Sequence, residues 1–197
     1  MKVFTIIAIF LICSNVYAKQ DILKSYLKSN WDINKTQKIY LEKGEILVES
    51  DVTTTAKIQH FKFRAYALSN KTCRKALRKL SMLENFKNLI GFITRSTYQE
   101  ESKLFTLRAD HALLPSAMLI NIIVDRPTKT GKYQFTFPTG MFTGLKGYFE
   151  ITSVNKKCLF YAKSAWSGKK SKHPDFLIEL FSEGLSKIAG GILMRKI

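Results

Sequence analysis

The stretch from Pro174 to Arg195 constrains this chain more than any other. It opens with Pro174-Asp175, a favoured helix start, because the fixed φ of proline suits the first helical turn. At about 100° per residue, Leu177, Phe181, Leu185, Ile188 and Ile192 fall on one stripe. Phe176, Ile178, Leu180 and Ala189 widen that arc, while Asp175, Glu179, Ser182, Glu183 and Ser186 fall opposite. The spacing predicts one long amphipathic helix that needs a broad apolar surface to lie on. Gly184 and Gly191 sit inside the arc, where glycine costs up to about 1 kcal/mol against alanine. They either permit close approach to a neighbour or leave room for something that is not protein.

The surface for that helix is a sheet. From Phe92 onward the apolar period is two, giving strands at Phe92–Gln99, Lys103–Leu113, Ala117–Val124, Lys132–Phe137, Leu145–Val154 and Lys157–Trp166. The breaks carry turn residues, as at Pro127–Gly131, Pro138-Thr139-Gly140 and Asn155-Lys156, and connections this short favour antiparallel neighbours. Upstream, Ile46–Val48 reads as a short strand and Ser50–Thr55 as a polar connection. Lys57–Ala67 alternates, with Phe61 and Phe63 on one face and His60, Lys62, Arg64 and Tyr66 on a basic outer face. Ser69 stands at an N-cap position for a basic helix over Asn70–Ser81, and Met82–Ile90 forms a second short helix. Asp32–Glu42 is polar and assigns no element. The order implies an α+β fold: a curved antiparallel sheet gripping a long C-terminal helix, with space enclosed between them.

Residues 1–18 read as a signal peptide, with Lys2 in the n-region, Val3–Ile12 as the h-region and Val16-Tyr17-Ala18 as the cleavage site. The alternatives are weaker in chemistry. The apolar run is shorter than the ~20 residues of a spanning helix, and bulky Ile12 precedes Cys13 where a lipoprotein site needs a small residue. Export to the periplasm or the medium is the expectation. Residues 19–43 then form a helical lead, with a short amphipathic helix over Gln20–Trp31 anchored by Trp31, and residues 44–197 the main domain. Cys73 and Cys158 remain after cleavage, and in an oxidising compartment they either pair or stay as two small buried thiols. The formal charge of +17 points, for an exported chain, to anionic lipid or acidic polymer rather than nucleic acid. Arg64, Arg74, Lys75, Arg78 and Lys79 are the candidate docking residues for an anionic membrane, against the plainer reading of a solvated basic surface.

The sequence of Trp31, Lys43-Gly44-Glu45-Ile46-Leu47-Val48, Phe61–Leu68, the basic helix, six strands and the Pro174–Arg195 helix resembles the START-like, helix-grip (SRPBCC) superfamily, which includes coenzyme-Q-binding and polyketide-cyclase-like proteins. The stretch Phe137–Phe149 is similar to the strand pair that leads into the last hairpin of that superfamily. Two departures stand out: no tryptophan occurs between Ser69 and Gly91, and Asp125-Arg126 reverses the order of the Arg-Asp near the middle strands. The resemblance implies a hydrophobic molecule or lipid held between helix and sheet. Candidate lining residues are Phe63, Phe105, Leu107, Phe135, Phe149, Leu177, Phe181, Leu185 and Ile188.

Catalytic chemistry is sparse. His60, His111 and His173 stand far apart in no ligand spacing, and there is no phosphate-binding glycine loop, no metal-ligand cluster and no cofactor motif. Cys73, beside Lys71, Arg74 and Lys75, has neighbours that favour a thiolate. Tyr66, Asp110, His111 and Tyr133 are the polar groups a cyclase or hydrolase in the cavity would use. The expectation is an exported binding protein, a carrier or sensor without cofactor. The alternatives are a basic membrane-surface module with its interior packed shut, and an enzyme on the same fold.

Overall fold

The computed structural model describes residues 33–112, 114 and 116–197. The expected signal peptide, the helix expected over Gln20–Trp31 and its anchor lie outside the described residues. The chain forms α1 (Lys35–Glu42), β1 (Leu47–Thr55), β2 (Ile58–Ser69), α2 (Cys73–Leu80), a 3₁₀ turn (Leu83–Asn85), α3 (Phe86–Leu89), β3 (Ile93–Gln99), β4 (Leu104–Ala109), β5 (Met118–Val124), β6 (Gly131–Thr136), β7 (Lys146–Val154), β8 (Lys157–Lys169) and α4 (Asp175–Lys196). All the strands join one antiparallel sheet of order β1-β2-β8-β7-β6-β5-β4-β3. The meander from β3 to β8 follows from the short turns, and β2 joins β8 from Ile58↔Lys169 to Ser69↔Cys158. This is the α+β fold expected, a curved antiparallel sheet with a long C-terminal helix of 22 residues.

Several local readings change. Asp32–Glu42 contains α1, opened by a capping box in which Asn34 and Gln37 exchange side-chain-to-backbone hydrogen bonds at 2.9 Å. Only Leu41 of this helix is buried, so no apolar period announced it. Ser50–Thr55 is the second half of β1, paired residue for residue with β2; main-chain pairing needs no apolar side chain. Ser69 ends β2 and Thr72 takes the N-cap position of α2, while Ser69 Oγ accepts from the Lys71 N–H at 3.2 Å. The outer face of β2 is not wholly open. Tyr66, Leu68, Leu159 and Tyr161 pack beneath Leu41, so α1 covers this end of the convex face.

On the concave face, α2 presses Ala76, Leu77 and Leu80 against Ile151 and Cys158 of the sheet. Here Cys73 and Cys158 form a disulfide across 85 residues of sequence, which decides between the two readings of these cysteines and removes Cys73 as a thiolate. The C-terminus reaches the same cluster: Ile197 is buried there, and Lys79 Nζ donates to the Lys196 carbonyl.

Helix α4 does not turn its polar stripe to water. Asp175 Oδ1 accepts from Thr54 Oγ1 and Gln59 Nε2, both at 2.6 Å. Glu179 Oε1 accepts from the Val52 N–H at 2.7 Å, and Glu183 Oε1 from the Ser50 N–H at 3.0 Å. The acidic residues of the stripe that was expected opposite the sheet, Asp175, Glu179 and Glu183, therefore lie on the free edge of β1, while Ser182 and Ser186 face inward. Phe176 and Leu180 are exposed instead, at 63% and 56%. The helix glycines divide: a Cβ at Gly190 would meet Ile46 at 3.2 Å, a close approach, whereas one at Gly191 would meet only the Arg195 side chain at 3.8 Å.

The hydroxyl of Thr54 and then the amide of Gln59 hold the Asp175 carboxyl below its ordinary value of 3.8. A lowered folded pKa means a contribution that is complete above the ordinary value and lost as pH falls through the folded one. Asp175→Asn should therefore flatten the acid limb of a melting-temperature profile below about pH 4. Glu179→Ala, which strands the Val52 N–H, should cost about 1–3 kcal/mol in urea unfolding, and Glu179→Gln, which keeps an acceptor, clearly less. Replacing Cys73 and Cys158 together by serine should cost roughly 2–4 kcal/mol by the same measurement.

Candidate functional site

Between α4 and the concave face lies an outer chamber of about 500 Å³. Its walls follow from strand alternation and from one irregularity. Phe61 and Phe63 project from β2 on one face, two residues apart. Strands β5 and β6 pair only through Ile123↔Thr136 and Val124↔Phe135. Beyond those pairs they splay, and Met118, Leu119 and Ile120 border the opening. Phe142 and Leu145 line it from the β6–β7 connection, and Ile178, Phe181 and Leu185 from α4. Among the described residues, the polar groups facing this chamber are Ser116, Ser164, Ser182, Ser186 and His173, with no lysine, arginine, aspartate or glutamate in the lining. Ser182 Oγ is engaged with the Glu179 carbonyl at 3.0 Å.

A second chamber of about 360 Å³, here called the inner one, is lined by Leu83 and Phe86 above, Phe105, Ile122 and Phe149 from the sheet, and Leu193 and Met194 from the end of α4. Among the described residues, no serine, histidine or charged side chain lines it. Phe135 and Phe137 line both chambers, their ring centroids 6.1 Å apart. Glycine fixes the first of these rings. Gly147 pairs with Phe135 across β6 and β7, and a Cβ there would stand 2.7 Å from Phe135 Cζ and 2.5 Å from the Lys163 carbonyl oxygen.

The roof of the inner chamber is held by Arg126. Its guanidinium donates to Glu84 at 2.6 Å and Glu100 at 2.7 Å, reaches the Ser81 carbonyl, and lies 4.5 Å from the Tyr98 ring centroid. The bond from Arg126 keeps the Glu84 carboxyl below its ordinary range.

Of the nine residues expected to line a cavity, Phe63, Phe135, Phe181 and Leu185 face the outer chamber, and Phe105, Phe135 and Phe149 the inner one. Leu107, Leu177 and Ile188 line neither; Leu107 packs with Ile90, Ile93 and Ala109. The helix is turned by roughly 60° from the expected orientation, because its carboxylates are drawn to β1. That turn brings in Ile178, Ser182 and Ser186, which the apolar stripe alone did not point to. Phe61 could have been found, since it shares a face with Phe63.

Of the basic residues, Arg74, Lys75 and Arg78 are exposed on α2 and Lys79 half-buried beside the C-terminus. Arg64 stands apart from them. It is bound to Glu49 at 2.6 Å, two residues before Tyr66, and so on the opposite face of the sheet. The structure does not gather the four polar groups weighed for catalysis. Tyr66 stacks on Tyr161 beneath α1, Tyr133 Oη donates to the Lys129 carbonyl, and the His111 ring packs edge-on to Phe92, one residue from Asp110. None of the four lines either chamber.

Gly147→Ala should cost about 1–3 kcal/mol in urea unfolding, as overpacking does. It should also move the Phe135 ring, read as a shift of its side-chain resonances with those of Phe137.

No protein-family model matches the chain, and no curated protein matches it. Solved structures do. A START superfamily protein from Mycobacterium smegmatis superposes with a TM-score of 0.51 at 12% identity, over 77% of this chain and 97% of that one. Ara h 8.0201 gives 0.52 at 12%, over 70% and 99%. The di-domain ARO/CYC StfQ from the steffimycin biosynthetic pathway gives 0.51 at 11%, over 81% of this chain and 52% of that one. At these identities the likeness is one of architecture, and the architecture is the START-like, helix-grip fold.

Proposed function

We propose that this chain is an exported binding protein that holds a hydrophobic small molecule or lipid between α4 and the sheet, as a carrier or sensor. The observation that carries this reading is the outer chamber: about 500 Å³, walled by aromatic and aliphatic side chains and dotted with a few uncharged polar groups. Small-molecule sites have this character, at about 300–1,000 Å³. The signal peptide read in residues 1–18 supports export to the periplasm or the medium. The exposed cations of α2, Arg74, Lys75 and Arg78, support docking on an anionic membrane at the end of the molecule where the inner chamber lies.

The cyclase-like alternative has the support of fold likeness to ARO/CYC StfQ. Against it, Tyr66, Asp110, His111 and Tyr133 do not converge on either chamber, and chemistry in a cavity needs groups within reach of the substrate.

Native mass spectrometry of the mature protein, followed by solvent extraction, should show an apolar molecule at defined stoichiometry. Leu185→Trp, which fills the outer chamber, should lower that occupancy at least about tenfold with near-ultraviolet circular dichroism retained. Unchanged occupancy in the folded variant would remove the cavity from the account. Sedimentation with anionic liposomes should weaken from low to high salt.

A further inference from the structure

The two chambers differ in chemistry, and the difference assigns an orientation. The outer one carries every polar lining group that is serine or histidine, and among these Ser164 and Ser186 have hydroxyls that form no hydrogen bond within the described residues. Among the described residues, the inner one is lined by aliphatic and aromatic side chains and the thioether of Met194 alone. Two residues, Phe135 and Phe137, are common to both linings, so the chambers adjoin at this pair. We propose, resting on the binding reading above, that the ligand is a long neutral amphiphile. Its hydroxyl- or carbonyl-bearing head lies against Ser164 and Ser186, and its tail passes Phe135 and Phe137 into the inner chamber.

Neutrality follows from the lining. Among the described lining residues the outer chamber offers an ionised head no lysine, arginine, aspartate or glutamate, and His173 is its one titratable side chain. The nearest acids of α4, Glu179 and Glu183, already accept from β1 and would repel an anion. An ionised group taken from water without a partner is strongly disfavoured, whereas a hydroxyl or ester needs only a hydrogen bond. Direction follows from the same contrast, because a polar head in the inner chamber would find no donor or acceptor side chain at all.

Trp166 provides a reporter. It packs edge-on to Phe142 of the outer chamber, ring centroids 5.4 Å apart, and Trp31→Phe makes it the sole tryptophan. The mature W31F protein is titrated with monoacylglycerols brominated either near the head or near the methyl end of an otherwise identical chain. Head-proximal bromine should quench Trp166 emission, and methyl-end bromine should leave it unchanged. Ile122→Phe, which fills the inner chamber, should weaken a long-chain monoacylglycerol about tenfold, as the loss of roughly two buried methylenes would, and leave a short-chain one unaffected. The ionised fatty acid of equal length should bind at least about tenfold more weakly than the monoacylglycerol. Equal quenching by both bromine positions, or equal loss of short and long chains in I122F, would overturn the two-chamber orientation while binding itself stood. Fatty acid binding as tightly as monoacylglycerol would overturn the neutral head. Failure of the unbrominated protein–lipid pair to form at either chain length would overturn the binding reading beneath it.

Discussion

The docking of α4 on the free edge of β1 is the interaction on which the remaining geometry depends. An edge strand presents unpaired N–H groups every second residue, about 6.7 Å apart. A helix presents side chains at i and i+4 about 6 Å apart on one face. The two repeats nearly coincide, and Asp175, Glu179 and Glu183 use the coincidence, running antiparallel to Thr54, Val52 and Ser50. Glu179 and Glu183 supply the main-chain acceptors that a missing strand would have supplied, and Asp175 accepts from the Thr54 hydroxyl. This close of the edge also sets the rotation of the helix, and the rotation decides which of its residues face the interior. The other edge, β3, is managed differently, by a register irregularity between Ile93 and Arg95 and by the charge of Arg95.

Helix α4 is held along β1 by its carboxylates and, further on, by Leu185, Ala189 and Ile192 against Ile90 and Ile93, and the space between these contacts is not filled as a core would be. The sheet curves beneath it, and cores gather where a second element presses down: α1 on the convex face around Leu41 and Tyr161, α2 on the concave face around Ile151 and Cys158. Between these clusters Phe61 stacks on Phe63 and Phe142, and these rings line the outer chamber as well as one another. Phe135 is seated on Gly147, where the absent side chain makes room for the ring. A glycine in a strand interior is unfavourable in itself, and here its position is that of the wall between the two chambers.

Much of this was readable from the chain, for reasons that differ by element. The meander strands alternate and end in turn residues, so their existence and order were clear. Pro174 and the apolar spacing behind it marked α4 to within a residue at either end. What failed to show was anything whose cause is tertiary. Only Leu41 is buried in α1, and β1 from Ser50 to Thr55 has only Val52 buried, so neither carried a periodic signal. The stripe Asp175, Glu179, Glu183 looked like a solvated face because acidic residues on helices usually are. Only the edge of β1 gives it another role. The lining of the chambers was half visible for the same reason: strand parity is local and placed Phe63, Phe105 and Phe135, while helix rotation is not and misplaced Leu177 and Ile188. The pairing of Cys73 with Cys158 required β2 and β8 to be neighbours, which spacing alone does not state.

The distribution of strong ties over the molecule is uneven in a way that matches the two chambers. The inner chamber is roofed by α2, the 3₁₀ turn and α3, and that roof is fastened at one end by the disulfide and at the other by the Arg126 guanidinium on Glu84 and Glu100. The C-terminus is tied in as well, through Ile197 and the Lys79 ammonium. The outer chamber is fastened by hydrogen bonds instead, from β1 to the α4 carboxylates and from Trp166 Nε1 to the Thr143 carbonyl at 3.0 Å. It is bordered by the stretch where β5 and β6 part after two residue pairs, by the β6–β7 connection, and by α4 at its exposed apolar residues Phe176 and Leu180. A wholly apolar end and a partly polar end are what a single amphiphilic occupant requires of its container, since the tail gains most from apolar contact and the head from a hydrogen-bonding partner.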